Sequence, residues 1–232
     1  MPGASGLLLS GAGRYADPWH RYRETSPLIR EILAGAGMQV EIDEDIDGRL
    51  ADLRGVDLLI VNAGDRTSGN GGAPAPDAAT TRAARDGLAA FVARGGALLG
   101  IHAAAASLVD YPAWTRTLGA RLVPGISTHP PFGLTEVTVT GVPVERRHAF
   151  PVDDIGDFSL YDERYIFLTV ADDVTVLAGH EYEGRRHPLL LTHVTGTSRA
   201  VYDALGHDVR AYACAAHRAL LVRAAKWLLE PT

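Results

Sequence analysis

The stretch Gly95-Gly96-Ala97-Leu98-Leu99-Gly100-Ile101-His102-Ala103-Ala104 decides the reading of this chain. A short apolar run of strand character stops at an ionisable side chain and passes into an alanine-rich segment, for which a helix is expected. A strand-to-helix elbow of this kind lifts one side chain to the carboxyl edge of a parallel sheet, where open α/β folds do their chemistry. Hydrolases place Ser or Cys at such a point. Here the residue is His102, and an imidazole serves as acid, base or metal ligand but seldom as an acyl-transfer nucleophile. Ordinary esterase or amidotransferase chemistry is therefore not expected.

Outward from the elbow, strand and helix patterns alternate through the first half. Strands are predicted at 6–10, 38–42, 57–62 and 97–101. Between them lie a helix opening at the Ser26-Pro27 pair and closing near Gly35-Ala36-Gly37, a short helix around 50–53, and a third from about 77 to 93. Residues 67–76, rich in Gly, Ala and Pro, read as a surface loop. This alternation predicts right-handed βαβ units and a doubly wound, mainly parallel sheet. The second half changes character, with strands expected at 134–140, 161–169, 174–178, 188–192 and 199–204. A final helix over 209–229 carries Leu220, Leu221, Ala224, Trp227 and Leu228 on one stripe. No repeat or linker divides the chain, so one domain over 1–232 is expected.

Composition narrows the function classes. The 232 residues are 47% hydrophobic and 22% charged, enough for a full core. No apolar run reaches the roughly 18 residues that span a bilayer. The start, Met1-Pro2-Gly3-Ala4-Ser5-Gly6-Leu7-Leu8-Leu9, lacks a basic region and reads as a first strand rather than a signal peptide. A single Cys precludes an internal disulfide and fits a reducing, cytoplasmic setting. The net charge of −6 argues against nucleic acid and for a small, neutral ligand. The acidic, apolar-rich composition also allows a homodimer.

Polar residues converge where the predicted strands end. The loops Gly11-Ala12-Gly13-Arg14-Tyr15, Asn62-Ala63-Gly64-Asp65, Gly100-Ile101-His102 and Leu205-Gly206-His207 all leave core strands at one carboxyl edge and meet in one crevice. His102 and His207 are the leading site candidates, against a plain backbone-capping role. The Pro-flanked Ser127-Thr128-His129-Pro130-Pro131-Phe132 either presents His129 to the crevice or is an exposed turn. His148, in Glu145-Arg146-Arg147-His148-Ala149-Phe150-Pro151, reaches the site or sits in a solvated loop. In Tyr161-Asp162-Glu163-Arg164-Tyr165, strand alternation lets only one of the two carboxylates serve the site. His217 and Cys214 read as packed residues of the last helix.

The chain resembles the ThuA-like (trehalose-utilisation) family, on residues spread over nearly its whole length. They are Trp19-His20, Leu99-Gly100-Ile101-His102, Leu118-Gly119, Thr128-His129-Pro130 and Tyr161-Asp162-Glu163-Arg164-Tyr165. Val176-Leu177, Arg199-Ala200-Val201-Tyr202 and Leu205-Gly206-His207 follow in family order. The resemblance implies a class I glutamine amidotransferase-like, flavodoxin-like fold. Those amidotransferases carry Gly-x-Cys-x-Gly at the elbow, whereas here His102 stands at the Cys position and Ala104 at the second Gly. His207-Asp208-Val209 also lacks their His-x-Glu pair. Glutamine hydrolysis needs a thiolate, so that activity is expected to be absent. Ala149 and Phe150 depart from a common family Pro, and Leu191 and Ser198 from a common Trp and Gly, which bears on loop shape and substrate rather than fold.

The family's association with disaccharide utilisation implies an enzyme acting on a sugar or oxidised sugar. His102, His207 and Glu163 would supply acid and base groups, with burial raising the Glu163 pKa toward neutrality. Tyr15, Trp19, Tyr161 and Tyr165 would stack on pyranose faces, while Arg14, Asn62 and Asp65 hydrogen-bond hydroxyls and His20 and His129 add ligand contacts. A concrete version is proton abstraction beside a keto group, leading to isomerisation, epimerisation or elimination from a 3-keto-glycoside, and a sugar oxidoreductase is the expected partner protein. His20, His102, His129, His148, Glu163 and His207 also form a ligand pool for Zn²⁺ or another divalent ion, with His102, His207 and His129 foremost. The opposing class is a non-catalytic sugar-binding or sensor protein on the same scaffold. No Gly-x-Gly-x-x-Gly follows the first strand, so no nucleotide cofactor is expected.

Overall fold

A computed structural model describes residues 4–64, 75–140, 150–152 and 154–230. Among them, β1 (Ser5–Ser10), β2 (Gln39–Asp43), β3 (Leu58–Asn62), β4 (Ala97–Ile101), β6 (Gly133–Val139), β7 (Phe158–Asp162), β9 (Thr175–Tyr182), β10 (Arg185–Thr195) and β11 (Ser198–Asp203) form one nine-stranded sheet. Their order is β2-β1-β3-β4-β11-β10-β9-β6-β7. β5 (Ala120–Arg121) and β8 (Thr169–Val170) make a small separate pair. From β2 through β11 every neighbour is parallel, and from β10 onward every pairing is antiparallel. The large, mainly parallel sheet with added antiparallel strands is the expected architecture.

The central strands are apolar without alternation because helices cover both faces. β3 and β4 are buried at every position. The helices are α1 (Tyr22–Gly35), α2 (Ile46–Leu50), α3 (Ala78–Ala93), α4 (Pro112–Leu118) and α5 (Ala215–Leu229). α1 packs with α5, whereas α3 packs with α2 and α4. The winding direction reverses between β1 and β3, which sends the two groups of helices to opposite faces.

Four local expectations are corrected. The first helix opens at Tyr22, a turn before Ser26, and Ser26 does not cap it: its buried Oγ bonds Ser10 Oγ at 2.8 Å. No helix follows β4 directly. His102–Ala105 is one 3-10 turn, because His102 adopts a left-handed φ of +45° that an α-helix cannot continue. The strand expected over 161–169 ends at Asp162, whose carboxylate accepts the N–H of Glu163 at 2.9 Å and turns the chain out of the ladder. The last helix starts at Ala215 rather than 209, because Asp208 accepts the N–H of Arg210 in a tight turn and a 3-10 turn follows. The expected loop at 67–76 falls mostly outside the described residues. No helix among the described residues is long and apolar enough to cross a membrane.

Candidate functional site

His102 leaves the buried end of β4 in a left-handed conformation. Its Nδ1 lies 2.7 Å from the Ala204 carbonyl, an acceptor only, so Nδ1 carries the hydrogen and Nε2 faces the crevice. The ring stacks on Tyr165, with centroids 4.5 Å apart. Nε2 is 3.3 Å from His207 Nδ1 and 3.6 Å from Glu163 Oε1. His207 Nδ1 is in turn 3.7 Å from the same carboxylate oxygen. Glu163 Oε2 meets His129 Nδ1 at 3.0 Å.

Residues distant in sequence meet here because one buried carboxylate gathers them. Asp162 accepts the N–H groups of Glu163 at 2.9 Å, His207 at 3.0 Å and Gly206 at 2.6 Å. The end of β7 is thereby tied to the loop after β11, and Glu163 faces His207. Gly206 holds φ at +109°, and a Cβ there would lie 2.6 Å from the Tyr212 hydroxyl, so this turn needs glycine. A reciprocal backbone pair, Thr128 with Ile166, brings His129 alongside.

His20 completes the cluster from the loop after β1. Its Nδ1 lies 2.8 Å from both Asp17 oxygens, and Asp17 also accepts the Tyr22 hydroxyl at 2.7 Å. With Nδ1–H committed to Asp17, Nε2 is a buried lone pair that has no hydrogen-bond partner. The His20 ring sits 5.0 Å from that of His102 and 4.7 Å from that of His207. Asp17, His20, His129, Glu163 and His207 border a cavity of about 460 Å³, lined also by Trp19, Ala103, Ala106, Leu122 and Tyr165, and His102 is buried directly behind Glu163 and His207.

The electrostatics reverse one expectation. Burial would raise the Glu163 carboxyl, but the facing His102 and the neighbouring His207 and His129 hold it below its ordinary value. It is ionised. Burial lowers His207 to about 4, helped by the nearby His102 and His20. Burial also lowers His20 despite Asp17. Burial alone would lower His102 too, yet Glu163 and Asp162 lift it above its usual value. The site thus pairs a carboxylate and a ring that favours its charged form with two neutral imidazoles.

Of the residues picked from sequence, His20, His102, His129, Glu163, Tyr165 and His207 come together, and Trp19 stands 59% exposed at the cavity rim. Others do not. Arg14 and Tyr15 turn away in a 3-10 turn: Arg14 forks onto Asp47 at 2.8 and 2.6 Å and reaches Asp110 at 2.9 Å, while the Tyr15 hydroxyl bonds Asp47 at 2.7 Å. They brace the fold. Asn62 is buried against Thr25 and Ser26 at 2.9 and 3.0 Å. Tyr161 is exposed on β7 and does not border the cavity. Asp65 and His148 lie outside the described residues. Sequence reasoning passed over Asp17, although Asp17-Pro18 is a turn signature and the carboxylate accepts the N–H groups of Trp19 and His20.

The order β2-β1-β3-β4 with an elbow residue after β4 is that of the glutamine amidotransferase-like class of flavodoxin-type folds. A glutamine amidotransferase from Thermotoga maritima superposes with a TM-score of 0.55 at 11% identity, covering 98% of this chain and 99% of that one. A ThuA-like protein from Parabacteroides merdae gives a TM-score of 0.76 at 18% identity, covering 98% of this chain and 90% of that one. A β-galactosidase from a Rahnella species matches over 97% of this chain but only 30% of its own length, with a TM-score of 0.60 at 15% identity. No curated protein sequence matches. The model of the ThuA family, described as trehalose utilisation, matches residues 13–228, and the chain belongs to that family.

Proposed function

We propose that this protein is an enzyme of carbohydrate utilisation that moves protons on a disaccharide or its keto derivative, and that it has no glutamine amidotransferase activity. One observation carries the reading: an ionised Glu163, backed by the buried His102, lines with His207 and His129 a cavity of the size that holds a small molecule. Glu163 takes the proton from a carbon beside the sugar carbonyl, and His102, charged on Nε2, donates to the carbonyl oxygen. Glu163 then returns its proton to the carbon that carried the carbonyl while the adjacent enediol hydroxyl gives its proton to the neutral His102, which isomerises the sugar; reprotonation of the original carbon on its other face epimerises it instead. Trp19 at the rim and the apolar Ala103, Ala106 and Leu122 offer a face for a pyranose ring. His102 in place of a thiol nucleophile removes the amidotransferase route, and Cys214, at the start of α5, does not border the cavity.

A ketone substrate would come from an oxidoreductase acting on the parent sugar, and the lone, unpaired Cys214 suits a reducing cytoplasm. The test is turnover and binding of a panel of disaccharides and their 3-keto derivatives by wild type, His102→Ala and Glu163→Gln. Loss of turnover with retained affinity in both variants supports catalysis. Binding by the wild type without any turnover makes the protein a sugar-binding module instead.

A further inference from the structure

We infer that His20, His102, Glu163 and His207 form a binding site for one divalent first-row transition cation, Zn²⁺ foremost. One donor atom from each of the four lies within 4.8 Å of the other three. Three of those atoms, His102 Nε2, His207 Nδ1 and Glu163 Oε1, form a triangle with edges of 3.3, 3.6 and 3.7 Å. The in-plane point equidistant from the corners of that triangle lies about 2.0 Å from each, the length of a Zn–N or Zn–O bond. Hydrogen bonding alone leaves that spacing unexplained, because the His102–His207 contact is within hydrogen-bond reach but the 3.6 and 3.7 Å contacts to Glu163 are too long.

The surroundings aim the lone pairs inward. His102 spends its Nδ1–H on the Ala204 carbonyl, which leaves Nε2 as the inward atom. His20 spends its own on Asp17, and its Nε2 is buried without a partner. A histidine whose outer N–H is held by a carboxylate or a carbonyl is the arrangement that orients metal ligands in proteins. Three imidazoles and one carboxylate oxygen make an N₃O set that suits a borderline cation better than Ca²⁺ or Mg²⁺. His129 stays outside the set. It bonds the other carboxylate oxygen and is 46% exposed at its side chain. The inferred set of four keeps the expected His102 and His207 and has His20 and Glu163 in place of His129.

A bound cation would polarise a sugar carbonyl as a Lewis acid, in the position the charged His102 ring otherwise fills. Proton handling would then fall to Glu163 Oε2 and His129, which remain free of the metal. The site is inferred from geometry alone and does not depend on the sugar reading.

The test is metal content. Chelator-treated protein is reloaded separately with Zn²⁺, Mn²⁺, Co²⁺ or Fe²⁺, desalted, and measured by plasma mass spectrometry, with circular dichroism as the check on folding. Wild type is expected to retain about one equivalent, and His20→Ala and His207→Ala to lose it. His193→Gln, which removes a histidine bonded to Thr117 and Asp173, should bind as wild type. Should the alanine variants misfold, Asp17→Asn keeps all four ligands yet should weaken affinity about 10–100-fold. Less than about a tenth of an equivalent for every cation in wild type, or wild-type loading in the His20 and His207 variants, overturns the inference. Failure here leaves proton transfer by Glu163 and His102 standing. Metal binding without sugar turnover would instead overturn the proposed function.

Discussion

Replacing His217 with leucine should destabilise the protein strongly, in a way that fades as pH rises. His217 is fully buried on α5, with Nε2 2.8 Å from Asp203 Oδ2 and Nδ1 3.1 Å from the Ala211 carbonyl. Both partners accept, so the ring is satisfied only when both nitrogens carry hydrogen. Burial alone would lower its pKa, but the charge and hydrogen bond of Asp203, with Asp162 nearby, raise it above the ordinary 6.5. Removing the ring strands a buried carboxylate, which costs about 3–5 kcal/mol. For a chain of this size that corresponds to a Tm roughly 6–20 °C lower. A raised folded-state pKa means the stabilisation is complete below about pH 6.5 and declines as pH climbs through the raised value. The gap in Tm between wild type and His217→Leu should therefore be widest below about pH 6.5 and shrink as pH rises above it. His102 shifts in the same direction but is common to both proteins, so the difference isolates His217. Asp203→Asn combined with His217→Leu should cost less than the sum of the single changes. Thermal denaturation by circular dichroism reads all of this. A Tm loss under about 2 °C, or a gap that widens with pH, would refute the reasoning.

Three further outcomes follow from the site. Trp19→Ala, at an exposed rim position, should leave stability within about 0.5 kcal/mol in a urea titration while weakening sugar affinity measured by calorimetry. Arg14→Met leaves Asp47 and Asp110 without their cation and should cost about 2–4 kcal/mol, with sugar affinity of the folded protein unchanged; a pure affinity loss would return Arg14 to the ligand site. Gly206→Ala forces a side chain into a left-handed turn against Tyr212 and should cost about 1–3 kcal/mol, together with weaker ligand binding because His207 is displaced.

The parallel core was legible because β1, β3 and β4 carry continuous apolar runs that end in Gly or a polar residue, the pattern of strands covered on both faces, and the more polar β11 supplies a fourth such end. From those four ends the meeting of His102 and His207 followed. The position of Glu163 did not. It depends on Asp162 binding backbone N–H groups up to 45 residues away, and no local pattern encodes that pairing. Arg14 and Tyr15 were misplaced for a related reason: the acidic partners that turn them inward lie 33 and 96 residues further on. The pKa direction of Glu163 was inverted because burial is readable from a strand pattern, whereas three histidines converging on one carboxylate are a product of tertiary structure.

Proton transfer at Glu163 is the central claim, and exchange with solvent tests it without knowledge of the net reaction. A 3-keto-disaccharide incubated in D₂O is followed by proton NMR. Wild type should replace the protons beside the carbonyl with deuterium faster than buffer does, and Glu163→Gln should fall to the buffer rate while still binding the sugar. Exchange at the buffer rate with wild type, or equal exchange in the two proteins, would contradict the account.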